Sequence, residues 1–247
     1  MRIAVFSDIH GNAVALQAVL TDLQATPADG LVCLGDAIQG GPQPVQVVER
    51  LRELACPVVM GNADAWLLSG VETGQEQFSA DRLRQMEAVR QWTLSCLSAE
   101  DRDFIAAFHP AVEIPLMAGR KLLCFHGSPA SFDDVILPST PEEEFQSYLG
   151  SYVPNILTGG HTHIQHIRRL EEGFYFNPGS VGLAYNHNQP EGGFHADPWA
   201  EYAVLSAQDG RLALEFRRVP FDAAALVQAY RDSGRPFAEQ AITQYLT

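Results

Sequence analysis

Five places in the sequence set a glycine beside an acid, an amide or an imidazole where a short apolar run stops. They are Ser7-Asp8-Ile9-His10-Gly11-Asn12, Gly35-Asp36, Gly61-Asn62-Ala63-Asp64, His126-Gly127 and Gly159-Gly160-His161-Thr162-His163. Carboxylate, amide oxygen and imidazole are ligands for divalent metals of the hard and borderline kind. In Asp8/His10 and in His161/His163, residues i and i+2 of an extended chain share a face, so each pair can reach a common centre. The glycines let the backbone turn sharply beside them. Taken singly, each group reads as a turn, and Gly-Asp or Gly-Asn is weak evidence for anything else. Independent turns, however, have no reason to put all of these groups after strands.

The segments that carry these residues are short: 2–6 (RIAVF), 31–34 (LVCL) and 58–60 (VVM) are β-rich runs. Between them lie two helical patterns. One runs through Val14, Leu16, Val19, Leu20 and Leu23 to Pro27; the other opens at Pro44 and stops at Pro57. This alternation predicts parallel strands with crossover helices. Ligands of such sheets bind beyond the carboxyl ends of the strands, where the chemistry-bearing groups stand. Residues 81–108 are predicted to be helical with a break near Ser98 to Glu100. Further strands are predicted at 111–116, 121–125, 155–158, 166–170, 173–177, 201–206 and 211–219, several joined as antiparallel hairpins, and helix is predicted after Phe221. Gly182 to Trp199, rich in Gly, Asn, His and Pro, is predicted to be a long irregular loop, a kind of segment that is often functional. The whole chain, 1–247, is expected to form a single α/β domain with two sheets.

Hydrophobic residues make up 46% and charged residues 19% of the sequence, which excludes a disordered chain. Sixteen Lys and Arg stand against thirty Asp and Glu, a net charge of −14, so binding to bulk DNA or RNA is not expected. No apolar run is long enough to cross a membrane, and the N-terminal run is too short for a signal peptide. Cys33, Cys56, Cys96 and Cys124 are far apart and are expected to be reduced, in a cytoplasmic protein. The sequence carries no indication of an oligomeric state.

The ordered series Asp8-x-His10, Gly35-Asp36, Gly61-Asn62, His126-Gly127 and Gly160-His161-Thr162-His163 resembles the calcineurin-like metallophosphoesterase superfamily. Gly40-Gly41-Pro42 and Asn177-Pro178-Gly179-Ser180-Val181 further resemble its small bacterial and archaeal YfcE-like phosphodiesterase branch. The resemblance implies a two-sheet β-sandwich flanked by helices, with a metal centre at the top of the sheets. It implies that Asp8, His10 and His163 hold one divalent ion, that Asn62, His126 and His161 hold a second, and that Asp36 bridges the two. Asp36, His10 and Asn62 are then the candidate catalytic residues. The mixed oxygen and imidazole set suits Mn, Fe, Zn, Ni or Co.

Two such ions lower the pKa of a shared water towards ~7, which provides a hydroxide to attack phosphorus without a protein nucleophile. The implied activity is metal-dependent hydrolysis of a small-molecule or nucleotide phosphate ester. Two alternatives belong to the same superfamily: a serine/threonine protein phosphatase or a dinucleoside polyphosphate hydrolase. A third is a non-enzymatic binding module on this fold, such as the retromer subunit, which a complete ligand set disfavours. The first two branches usually carry an Arg soon after Gly-Asp and a Gly-Asn-His triplet, whereas here Ala37-Ile38-Gln39-Gly40 follows Asp36 and position 63 is Ala. Without a histidine at 63 the leaving oxygen must find its proton elsewhere, and diesters with good leaving groups suit that limit. His187 and His195 are candidate donors, against the plainer reading that they are solvated loop histidines. His166 is read as structural or supporting, and His109 as a helix-end residue. The loop itself, with Tyr185, Phe194, Trp199, Gly182, Gly192 and Gly193, is expected to border the substrate pocket.

Overall fold

Alternate side chains of the central strands serve two different cores, and that alternation builds the architecture. The computed structural model describes residues 1–71, 79–116, 119–150, 156–189 and 194–246. The strands are β1 (Arg2–Phe6), β2 (Gly30–Cys33), β3 (Val112–Pro115), β4 (Lys121–Cys124), β5 (Ile156–Thr158), β6 (His166–Leu170), β7 (Gly173–Asn177), β8 (Trp199–Gln208) and β9 (Arg211–Pro220). The helices are α1 (Ala13–Ala25), α2 (Pro44–Leu54), α3 (Asn62–Ser69), α4 (Ala80–Cys96), α5 (Ala99–Ala106), α6 (Glu142–Leu149), α7 (Ala223–Asp232) and α8 (Ala238–Ile242), followed by a 3-10 turn at Thr243–Tyr245.

One sheet has the order β2-β1-β8-β9 and the other β3-β4-β5-β7-β6. β1 and β2 run parallel, as do β4, β5 and β7, while β3/β4, β6/β7 and β8/β9 are antiparallel. Ile3, Val5, Leu122, Cys124, Ile156, Phe176, Ala203 and Leu205 meet between the sheets. Their neighbours Ala4, Phe6, Tyr202 and Val204 face outward into a core with α1 and α2. On the far side Leu123, Phe125, Leu157 and Tyr175 pack on Phe145 and Leu149 of α6. Two sheets face to face with helices outside them are what the resemblance implied.

Two local expectations are corrected, and one helix is new. The run 58–60 forms only isolated bridges, Val58 to Cys33 and Val59 to His109, rather than a strand. Asn62-Ala63-Asp64, expected in a turn, opens α3 behind the N-cap Gly61. Helix α6 was not anticipated. The break near Ser98 is a capping box, in which Ser98 and Asp101 cap each other's backbone. Of the strand expected at 155–158, residue 155 lies outside the described residues, as do Gly192 and Gly193 of the long loop. No helix among the described residues is long and apolar enough to cross a membrane. All four cysteines are free.

Candidate metal centre

The turns after β1, β2 and β5 are bent by left-handed backbone at the residues that carry the chemistry. Asp8, His10, Asp36, His161 and His163 have φ of 56°, 48°, 50°, 68° and 55°. Each non-glycine residue in this region costs on the order of 1–3 kcal/mol and persists where its surroundings over-determine it. Those surroundings are tight. A Cβ on Gly61 would overlap the Asp36 carboxylate, and one on Gly160 would overlap Ser7 Oγ and lie 2.9 Å from Asp8 Oδ2. Both positions require glycine for close approach of backbone to carboxylate.

Two clusters result, Asp8 with His10 and His163, and Asp36 with His126 and His161, so His161 and His163, on left-handed rather than extended backbone, serve different clusters instead of one centre. Within each, one candidate ligand atom per residue lies within 4.8 Å of the others. The second contains Asn62 as well, whose Oδ1 is 3.0 Å from His126 Nε2. Asp36 Oδ2 stands 3.5 Å from His126 Nε2 and 3.8 Å from His10 Nε2, so one carboxylate oxygen faces a histidine of each cluster. All seven sequence-derived residues are thus brought to one place.

Backbone carbonyls orient the imidazoles. His10 Nδ1 is bonded to Gln39 O at 3.0 Å, His126 Nδ1 to Leu34 O at 2.8 Å and His163 Nδ1 to Leu183 O at 2.7 Å. A ring that donates from Nδ1 presents an Nε2 lone pair, the form in which histidine binds metals. Yet His10 Nε2 and His163 Nε2 lie 3.2 Å apart, and His163 Nε2 lies 3.2 Å from Asp8 Oδ1. Asp8 Oδ1 is buried with no hydrogen-bond donor. Lone pairs and an orphaned carboxylate oxygen turned on one another favour a cation among them. The donor set therefore fits divalent metal.

The charges within the site act on one another. Burial works against ionised Asp8 and Asp36, but the neighbouring imidazoles outweigh it and hold both carboxyls below their usual range. Burial also opposes charge on His126, and Asp36 overrides it, pushing His126 up to about 9. His161 goes the other way, to about 4, through burial and the His126 charge.

The supporting contacts come from far along the chain. Asp36 Oδ1 accepts from Ala63 N at 2.8 Å, at the first turn of α3. Asp64 answers from the same turn, accepting from Ala37 N and Ile38 N, both at 3.0 Å. Asp64 is fully buried; burial and the Asp36 charge raise it to about 7. Asn177 donates to Gly160 O at 2.6 Å and to Thr162 Oγ1 at 3.0 Å. Ser180 Oγ donates to Asp8 O at 2.8 Å. The Asn177-to-Val181 run thus pins the loops that carry Asp8 and His161.

His10, Asn62, Ala63 and His161 open onto a cavity of about 750 Å³. Of the loop expected to border it, only Gly182 and Leu183 do so among the described residues. His187 stacks on Tyr185 at 4.2 Å, and Tyr185 packs against the His163 ring at 5.7 Å. His195 exchanges hydrogen bonds with Gln189 outside the cavity. His166 is buried against Tyr175, in keeping with a structural role. Lining residues that the sequence did not disclose are Tyr230, Arg235, Phe237 and Tyr245 from the C-terminal segment, Arg82 from α4, and Asp133 and Asp134.

Residues 1–197 match the calcineurin-like phosphoesterase superfamily domain. An uncharacterised protein of Methanocaldococcus jannaschii is 30% identical over 89% of this chain and 88% of its own length. The phosphodiesterase YfcE of Escherichia coli K12 is 28% identical over 78% of this chain and 83% of its own. The crystal structure of a metallophosphoesterase from Sphaerobacter thermophilus superposes with a TM-score of 0.72 at 25% identity, covering 99% of this chain and 98% of that one.

Proposed function

Because the chain belongs to the calcineurin-like phosphoesterase superfamily and is a phosphoric ester hydrolase, we propose that it cleaves a small-molecule or nucleotide phosphate ester, with a preference for diesters. The residues that would hold two divalent ions are Asp8, His10 and His163 for one, Asn62, His126 and His161 for the other, and Asp36 for both. When bound, the ions supply an activated water and Lewis acidity for the charge that gathers on phosphorus. The chain's own part is to place them. Three backbone carbonyls aim the imidazoles, α3 and Asp64 fix Asp36, and the Asn177-to-Val181 run fixes Asp8 and His161. His10 and His161 also face the cavity, within reach of a phosphate oxygen bound there.

The orphaned, fully buried Asp8 Oδ1 among imidazole lone pairs, beside a cavity large enough for a nucleotide-sized ester, carries this reading. Position 63 lines that cavity with a methyl group, so a leaving oxygen there meets no side-chain acid from it. Nitrophenyl diesters should therefore react much faster than alkyl diesters. We take the whole chain as one unit, since β8 and β9 complete the sheet begun by β1. Manganese is the ion to supply first, and four unpaired thiols suit a cytoplasmic setting. The test is elemental analysis of the Mn²⁺-reconstituted protein alongside hydrolysis of bis(4-nitrophenyl) phosphate. About two ions per chain and metal-dependent release of nitrophenolate are expected. A folded protein that retains no metal and cleaves nothing would sink the proposal.

A further inference from the structure

Most arginines of this acidic protein stand beside acids. Eight of the fifteen, Arg50, Arg52, Arg84, Arg90, Arg168, Arg217, Arg218 and Arg231, have a carboxylate partner. Arg235 and Arg82, which line the cavity, have none within ion-pair distance among the described residues, although acids outnumber bases thirty to sixteen. We propose that Arg235, with Arg82 beside it, binds a second anionic group of the substrate, so that the ester taken by this cavity carries a charge besides the phosphate that reacts. This inference rests on the phosphoesterase reading above.

Arg235 lies between α7 and α8 and is held in place. Its Nε donates to Gly40 O at 2.6 Å and its Nη1 to Pro236 O at 2.8 Å, and its guanidinium lies 5.5 Å from the centre of the Tyr230 ring. Nη2 makes no hydrogen bond among the described residues, so one edge of the fork remains for a ligand. Gly40 follows Gln39, whose carbonyl orients His10, so the cation stands against the loop that frames the centre. That loop, Ala37-Ile38-Gln39-Gly40-Gly41, has no cation of its own, and Arg235 brings one from 195 positions away.

The two guanidiniums act on each other, and burial together with the Arg82 charge lowers the Arg235 pKa. Asp133 and Asp134 line the same cavity, but neither is within ion-pair distance of Arg235 or Arg82. Like charges facing one space repel, and an anion between them relieves that cost. Arginine suits the role through its planar fork. Next to this pair, Phe237 holds φ of 59° and remains 45% exposed on the cavity wall. A bulky aromatic in left-handed backbone is an outlier of the kind found at ligand clamps. It gives the organic part of the ester a face to rest on. The plainer reading is that Arg235 only staples the C-terminal helices to Gly40.

The two readings separate with two esters that share a reacting centre. Thymidine 5′-(4-nitrophenyl phosphate) and its 3′-phosphorylated form differ only in the distal anion. The Mn²⁺-loaded enzyme should favour the 3′-phosphorylated ester by about tenfold in kcat/KM. Arg235→Met should bring that ratio close to one, Arg235→Lys should retain part of it, and Arg82→Met should lower it. Arg82 is exposed on α4, so that variant keeps the test available if Arg235→Met does not fold. Separately, calorimetry on the metal-free chain should detect inorganic pyrophosphate binding that both methionine variants weaken. A wild-type ratio near one, or an unchanged ratio in folded variants, would overturn the inference while leaving the hydrolase reading intact. If neither ester is cleaved with any metal, the hydrolase reading fails, and pyrophosphate binding alone decides whether the arginines take an anion.

Discussion

Asp36 stands between the two clusters. One oxygen faces His10 and His126, and the other caps α3 through Ala63 N. A neutral amide in its place keeps an acceptor for Ala63 but loses the charge that would be shared between two cations. Asp36→Asn is therefore expected to lower turnover of bis(4-nitrophenyl) phosphate by at least about 100-fold and to bring metal content below about one ion per chain, with the fold retained. Steady-state kinetics, elemental analysis and circular dichroism check it, and unchanged turnover at saturating metal would reduce Asp36 to a turn residue. At this scale the sequence was informative because the seven residues stand within a few positions of the end of an apolar run, and for all but Asn62, which opens α3, that run is a strand. Asp64 and Arg235 were not legible. Their partners lie 26 to 27 and 195 positions away, and no spacing announces such contacts.

At the scale of elements, strands were readable wherever alternate residues serve two cores, as in β1, β4 and β8. The run 58–60 misled because it too is apolar, yet Val58 and Val59 bridge two different segments, and Pro57 before them has no N–H to give. Helix α6 escaped notice because only Phe145 and Leu149 of its eight residues are buried, too few for a helical period. The α1 contact with the sheet provides a test. Asp22 accepts from Tyr202 Oη at 2.5 Å and from Arg217 Nε at 2.7 Å and Nη2 at 3.0 Å, tying α1 to β8 and β9. The Arg217 hydrogen bond outweighs burial and, with Tyr202, holds the Asp22 carboxyl below its usual 3.8. A depressed carboxyl stabilises the fold above its unfolded pKa, and that contribution is lost as pH falls through the folded value. Asp22→Ala should cost about 1–3 kcal/mol at neutral pH, since it leaves the buried Tyr202 hydroxyl and Arg217 without their acceptor. Urea unfolding should find Asp22→Asn less costly, and the gap between wild type and Asp22→Asn should narrow below pH 3.8. A gap that persists into acid would mean the charge on Asp22 contributes nothing.

For the molecule as a whole, the decisive quantity is the sign of charge seen from different distances. A phosphate ester far from the surface meets a protein of net charge −14. Within the cavity it meets Arg82 and Arg235 as well as Asp133 and Asp134, and a centre that, with two divalent ions and two carboxylates, would carry a formal charge of about +2. A small ester can sit wholly within the favourable region. A long nucleic acid cannot, because every phosphate outside the cavity meets the acidic surface. Screening by salt shortens both interactions, but the polyanion has more repulsion to lose. Raising salt should therefore leave kcat/KM for a small anionic diester constant or lower it. For a long single-stranded DNA the slow rate should stay constant or rise. Proteins that neutralise a nucleic acid backbone behave in the opposite sense, with affinity falling steeply as salt rises. Rates for both substrates, measured over a series of NaCl concentrations at fixed Mn²⁺, decide the matter. A steep fall for the long DNA would mean that a basic track leads into the cavity and that the expectation of small substrates is wrong.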